Sequence, residues 1–319
     1  LIAFKAAGLF FNHGLPKDAL HLLLGDGRVG QAIITSQALD LVVFTGSLKT
    51  AKSIHNNLSN KSGKIVPLIA ETGGLNSMVV DSSALIERAC DDIMRSAFNS
   101  AGQRCSALRL LLVHETIYEE LILMLKGMMS ELIVGNPSNA SVDMGPIISV
   151  EAVQELYDYL DKPDSERLAI FQPQAPDEHR KQWFLPTLIE LKSINTLNEE
   201  KFGPILHVLK FSEKTLDSHL EQITAKGFGL TFGIHTRIDA KAIHASKLVS
   251  AGNTYINRDI IGAVVESQPF GGKNLSGTGF KAGGPNYLMQ FTDERTISIN
   301  TVAIGGNAEL LNQASEDAP

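Results

Sequence analysis

Short apolar runs alternate with longer stretches of helical periodicity along most of the chain. Residues 1–13 space their apolar positions as a helix does and stop at Gly14 and Pro16, so a helix is expected there. Residues 20–24 (LHLLL), closed by Gly25-Asp26-Gly27, predict a strand and a turn. Residues 28–36 return to helical spacing. Residues 41–44 (LVVF) are too short for a helix and end in Thr45-Gly46-Ser47, which predicts a second strand before a helix over 48–60. Further strands are expected at 65–70 and 77–80, then a helix over 84–100, a buried strand at 108–113 (LRLLLV) and a long helix over 116–133. Residues 161–182 are polar and proline-rich, the pattern of a surface excursion. Strands at 204–211, 230–236 and 253–257 and a helix over 239–250 follow. The alternation ERTISINTVAI predicts an edge-like strand at 293–304, and the last dozen residues are expected to fray.

Short strands alternating with helices specify an α/β fold with a parallel sheet. With 319 residues the chain can bury a large core, in more than one domain. The formal net charge of −7 leaves no basic surplus to neutralise phosphates, which argues against nucleic acid as a partner. No apolar run is long enough to span a bilayer, and the first residues show no secretory signal pattern. Two cysteines in so long a chain are no disulfide framework, so a reducing cytoplasm is the expected compartment. The chain opens without an initiator Met, inside a helical pattern that has no cap, and is therefore expected to be a piece of a longer protein.

Four clusters carry candidate chemistry. Ser100-Ala101-Gly102-Gln103-Arg104-Cys105-Ser106 lies between a helix and a buried strand, with small residues that let a substrate come close. Arg104 and neighbouring backbone N–H groups could favour the Cys105 thiolate, the form that acts as a nucleophile. A lone cysteine is equally compatible with simple burial, and Cys90, inside a helical run, is assigned to packing. Glu71-Thr72-Gly73-Gly74 puts a carboxylate at the end of an apolar strand, where it can reach a cleft or merely cap a turn. Glu200 and Phe202, ahead of Gly203-Pro204, could grip a flat hydroxylated ligand or form an ordinary surface turn. The glycines of Gln268–Gly272, Leu275–Gly279 and Gly283-Gly284 imply a backbone that closely approaches something. That glycine-rich stretch carries no Walker lysine-serine pattern and no GxGxxG opening a helix, no GxSxG elbow appears, and the histidines show no metal-ligand spacing.

In this order, the four clusters resemble the aldehyde dehydrogenase superfamily over about residues 1–304. AETGGLNSMVVDSSAL, SAFNSAGQRCSALRLL, FGPILHVLKF, YINRDIIGAVV and QPFGGKNLSGTGFKAGGP are similar to its L-glutamate-γ-semialdehyde (pyrroline-5-carboxylate) dehydrogenases, as found in bifunctional bacterial proline catabolism. The resemblance implies an incomplete aldehyde dehydrogenase fold: a partial NAD-binding domain over 1–72, a thiol domain over 73–262, and a return and oligomerization arm over 263–319. It implies NAD as cofactor, Cys105 as the acylating nucleophile and Glu71 as the base that hydrolyses its thioester. It implies further that Glu200 and Phe202 hold the nicotinamide ribose and ring. It implies also that Gly46 and Ser47 meet the pyrophosphate and that Ser106, Gly262 and Ala263 bind the substrate α-carboxylate. By the same resemblance Phe98 is expected to pack on the substrate's stem; its other reading is core. As partners it implies a small aldehyde, a proline dehydrogenase domain upstream in the same polypeptide and further copies of the chain. Glu266-Ser267 and Lys273-Asn274 depart from the usual Gly-Val and Glu-Gly, and Glu266 is expected to face solvent. An inactive remnant, or cofactor-free ester hydrolysis by Cys105 and Glu71, are the rival readings.

Overall fold

A computed structural model describes residues 1–173 and 182–300. Helix α1 (Ile2–Asn12) leads to α2 (Gly27–Thr35), whose N-cap Asp26 accepts from the Arg28 N–H. Strand β1 (Val42–Thr45) follows, then helix α3 (Leu48–Ser59) and strand β2 (Leu68–Glu71). The two strands pair in parallel, Val42 opposite Leu68 and Thr45 opposite Glu71. Ile34, Leu58 and Val66 make a small apolar core beside this two-stranded sheet.

The larger part of the fold begins at β3 (Ser77–Val80). It continues through α4 (Ile86–Phe98), β4 (Leu110–His114), α5 (Tyr118–Glu131), α6 (Val150–Asp161), β5 (Arg167–Phe171) and β6 (Thr187–Leu191). Then come β7 (Ile205–Phe211), α7 (Leu216–Ala225), β8 (Phe228–Gly229), β9 (Thr231–His235), α8 (Asp239–Leu248), β10 (Asn253–Ile256) and β11 (Lys273–Asn274). Among the described residues, seven strands form one sheet in the order β10-β9-β3-β4-β7-β6-β5. All neighbours are parallel except β5, which runs antiparallel to β6. The strands β3, β4 and β9 are buried at every position, as a sheet covered on both faces requires. The chain steps from β3 to β4 one way along the sheet and from β9 to β10 the other way. Right-handed crossovers therefore put α4 and α8 on opposite faces. Residues 1–287 form one unit; Leu288 begins a second, of which residues 288–300 are described.

The expected strand at 20–24 does not form: Leu22, Leu23 and Leu24 are exposed and outside any strand. A strand needs a ladder partner, and none of the described residues pairs with this run. The expected strand at 293–304 is also not formed over 293–300, and 301–304 and the frayed tail lie outside the described residues. The excursion at 161–182 holds β5, an edge strand with Leu168 and Ile170 exposed, and residues 174–181 of it lie outside the described residues. Helices α6 and α7 and strands β5, β6, β8 and β11 had no counterpart in the sequence reading; Ser149 caps α6 by accepting from the Ala152 N–H.

Candidate active site

A cavity of about 1320 Å³ opens where the carboxyl ends of β1 and β2 meet the amino-terminal edge of the seven-stranded sheet. The turn after β1, the Glu71–Gly73 segment after β2, the loop before β4, the loop before β7 and the Gly262-Ala263 loop all line it. Its walls thus come from segments after the strands of the small sheet, from loops before β4 and β7, and from the loop that follows β10. Cys105, Ser106, Glu71, Glu200, Phe202, Gly46, Ser47, Gly262 and Ala263 all border this one space.

Cys105 follows a turn of unusual backbone. After α4 ends at Phe98, Ser100, Ala101 and Gly102 adopt φ of 56°, 53° and 64° in succession. Left-handed geometry costs ordinary residues about 1–2 kcal/mol each, so the surroundings must enforce it. They do: Gln103 Oε1 accepts from the Ile148 N–H at 2.8 Å, and Gln103 Nε2 donates to the Pro146 carbonyl at 3.1 Å. At Gly102 a Cβ would sit 2.3 Å from the Gly203 carbonyl oxygen, so only glycine lets the two loops touch. Asn76, buried, donates to the carbonyls of Cys105 (2.7 Å) and Ala107 (2.9 Å) and holds the loop from below. The expectation that Arg104 favours the thiolate finds no support: its Nε donates to Ser100 Oγ at 3.0 Å, and the groups that act on the Cys105 thiol do not include it. Burial pushes the Cys105 thiol up and the Glu200 carboxylate adds to it; the N–H groups of Ser106 and Cys105 pull it back.

Glu71 is wrapped by the glycine-rich stretch. Thr72 N–H donates to Ser276 O at 3.0 Å and Thr278 N–H to Ala70 O at 2.8 Å, so residues 276–278 run alongside β2. Gly272 N–H donates to Glu71 Oε2 at 3.2 Å, and a Cβ on Gly277 would lie 3.0 Å from the same oxygen. The close approach foreshadowed by these glycines is to this carboxylate. Burial, against the pull of the Gly272 N–H, raises its pKa to about 7, so it can take and give a proton near neutrality.

Glu200 lies against Gly73, where a Cβ would fall 1.6 Å from Glu200 Oε2. Burial raises its pKa, opposed by Arg109 and by the Gly74 N–H. Phe202 is 46 % exposed, its ring available to the cavity. On the other side, Ser47 caps α3, its Oγ accepting from the Thr50 N–H at 3.2 Å. The Gly46 N–H is spent on the Glu71 carbonyl at 3.1 Å, so Gly46 shapes the turn and offers no donor to an anion. Lys49 and Lys52 of α3 also border the cavity; the sequence analysis did not single them out. Phe98, expected on the substrate's stem, is 2 % exposed within the main core and does not line the cavity; the alternative reading, packing, describes it. Glu266 is exposed and away from the lining, as expected. Arg109 was also missed, although a lone charge inside LRLLLV signals a buried partner.

The model of the Aldehyde dehydrogenase family matches residues 1–297. The bifunctional protein PutA of Klebsiella aerogenes is 43 % identical over 305 residues, covering 92 % of this chain and 23 % of that protein. The chain thus spans about a quarter of the length of that curated relative. A crystal structure of a bifunctional proline utilization A protein superposes with a TM-score of 0.90 at 47 % identity, over 95 % of this chain and 31 % of that one. A 1-pyrroline-5-carboxylate dehydrogenase from Thermus with bound NAD gives a TM-score of 0.84 at 28 % identity, over 91 % and 56 % of the two chains.

Proposed function

Because the chain belongs to the aldehyde dehydrogenase family, we propose that it oxidises L-glutamate γ-semialdehyde to L-glutamate with NAD⁺, through a thioester on Cys105. The observation that carries this reading is the convergence of Cys105, Glu71, Glu200 and Phe202 on one cavity. The substrate assignment rests on the similarity to proteins named for proline utilization and pyrroline-5-carboxylate oxidation.

The residues present suit a nicotinamide cofactor. The cavity exceeds the volume usual for a single drug-sized ligand, so a dinucleotide and a small aldehyde fit together. A capped helix start at Ser47 suits a pyrophosphate, Glu200 a ribose hydroxyl and the open face of Phe202 a flat ring. When bound, the cofactor supplies the acceptor for the hydride. Cys105 as thiolate attacks the aldehyde carbon; a C–S bond forms and the carbonyl electron pair moves to oxygen. The Cys105 N–H stabilises that oxyanion. Collapse of the oxyanion restores the C=O bond, releases hydride and leaves a thioester. Glu71 takes a proton from water as the water attacks the thioester; the C–S bond breaks, releasing the acid and the thiolate. Ser106, Gly262 and Ala263, which border the same cavity, hold the substrate's α-carboxylate. Residues 1–72, 73–262 and 263–319 correspond in this reading to cofactor, thiol and anchoring segments. A proline dehydrogenase domain in the same polypeptide and further copies of the chain are its partners.

NADH absorbance followed with the semialdehyde, with Cys105→Ala as control, tests the proposal. NADH from the wild type alone supports it. Ester cleavage without NADH replaces it with cofactor-free hydrolysis, and neither signal refutes any catalytic reading.

A further inference from the structure

Arg109 has no place in the chemistry above, yet it is among the largest fully buried side chains, at 1 % exposure. It stands just before β4 and does not border the cavity. A buried guanidinium must place its N–H donors on acceptors, and the choice of acceptors here is specific. Nη2 and Nε donate to Glu200 Oε1 at 3.0 and 3.3 Å. Nη1 donates to the Gly203 carbonyl at 2.8 Å, and Nη2 also to the Arg104 carbonyl at 3.3 Å. The guanidinium carbon lies 5.5 Å from the Phe202 ring centroid. One planar group thus touches the carboxylate, the aromatic neighbour and the backbone of the loop next to Cys105.

The backbone of Arg109 is pinned as well. Its N–H donates to Asn76 O at 2.9 Å, and Asn76 in turn holds the Cys105 carbonyl. Its carbonyl accepts from the His207 N–H at 2.9 Å and lies 3.0 Å from His207 Nδ1. The second ring nitrogen, Nε2, is 2.8 Å from the Tyr159 hydroxyl. The strand therefore cannot slide without disturbing both loops.

The geometry points to Arg109 as the positioning residue that sets Glu200 and Phe202 against Cys105, and so governs cofactor binding without touching cofactor. This deepens the dehydrogenase reading and rests on it. Lysine could keep the charge but not the planar fork that reaches three acceptors at once. With the cation gone, the burial that already disfavours the Glu200 carboxylate would act unopposed by its nearest positive charge, pushing Glu200 further toward its protonated form.

The test compares wild type, Arg109→Met, Arg109→Lys, Glu200→Gln and the Arg109→Met/Glu200→Gln double variant, each checked for folding by circular dichroism. Arg109→Met is expected to raise KM for NAD⁺ on the order of ten- to a hundredfold, the weight of a lost charge-assisted contact, with KM for the aldehyde changed much less. Arg109→Lys recovers part of the loss. The double variant is no worse than the poorer single one, because both changes remove the same contact. Infrared spectra at neutral pH should show in Arg109→Met a protonated-carboxyl band additional to the Glu71 band that wild type already has, and the double variant should lack that additional band. Folded Arg109→Met with wild-type KM for NAD⁺ and no such band overturns the inference, as do single effects that multiply. Should Arg109→Met fail to fold, Glu200→Gln must reproduce the KM effect and Arg109→Lys a smaller one. A wild type that makes no NADH sinks the dehydrogenase reading instead, and the infrared comparison still judges Arg109.

Discussion

Replacing Glu71 by Gln should strengthen the fold and cripple the proposed chemistry together. The carboxyl's pKa rises from the ordinary 4.5 to about 7 because burial disfavours its charge. A raised folded-state value means that the folded protein holds a proton the unfolded chain has released. The stability this group contributes is therefore full below about pH 4.5 and is lost as pH climbs to about 7. At about 1.4 kcal/mol per unit, the loss reaches roughly 3 kcal/mol above neutrality, an upper bound because the carboxylate borders an open cavity. Glutamine keeps an oxygen to accept the Gly272 N–H and never charges. Glu71→Gln and wild type should therefore be equally stable at pH 4, diverge between pH 4.5 and 7, and differ by up to about 3 kcal/mol at pH 8. Urea or guanidinium unfolding across this range measures the gap. In the same variant the first turnover's NADH is expected to survive while steady turnover falls about a hundred- to ten-thousandfold, since only thioester hydrolysis needs the base. A variant no more stable than wild type at pH 8, or a gap that does not close in acid, would refute the burial argument.

Three further outcomes follow from the same contacts. Gly73→Ala places a Cβ 1.6 Å from Glu200 Oε2 and must push the carboxylate off Arg109, so KM for NAD⁺ should rise at least tenfold (~1.4 kcal/mol) in steady-state assays, with near-normal circular dichroism. Glu200→Gln removes a negative charge that raises the Cys105 thiol, so iodoacetamide should alkylate Cys105 faster than in wild type at pH 7.5; a slower rate would contradict the assigned sign. Glu266 and Asn274 stand at φ of 70° and 56°, so Glu266→Gly, exposed and off the cavity, should raise denaturation stability by about 1 kcal/mol without changing kcat.

The departures at 266 and 274 acquire a physical meaning only in the structure. In the sequence they were merely unlike the related proteins; in the fold each puts a side chain where the backbone turns left-handed. The reverse holds for Cys105 and Glu71, whose candidacy was legible because each stands where an apolar run meets small, flexible residues.

Local pattern determined the strands at 42–45, 77–80 and 205–211, the helices around them and the loop that carries the nucleophile. Burial periodicity and turn residues act within a few positions and are written directly in the chain. Tertiary contact decided the rest. LHLLL at 20–24 has the composition of a strand and finds no ladder partner among the described residues, while RLAIF, unremarked, pairs with β6. Phe98 went to the core, and Arg109 reached across 91 residues to Glu200. Glu71 met the Gly272 N–H across 201. Periodicity says which side of an element is buried but not what covers it; a partner far along the chain is chosen only when sheet order and crossovers close the loops around a common space.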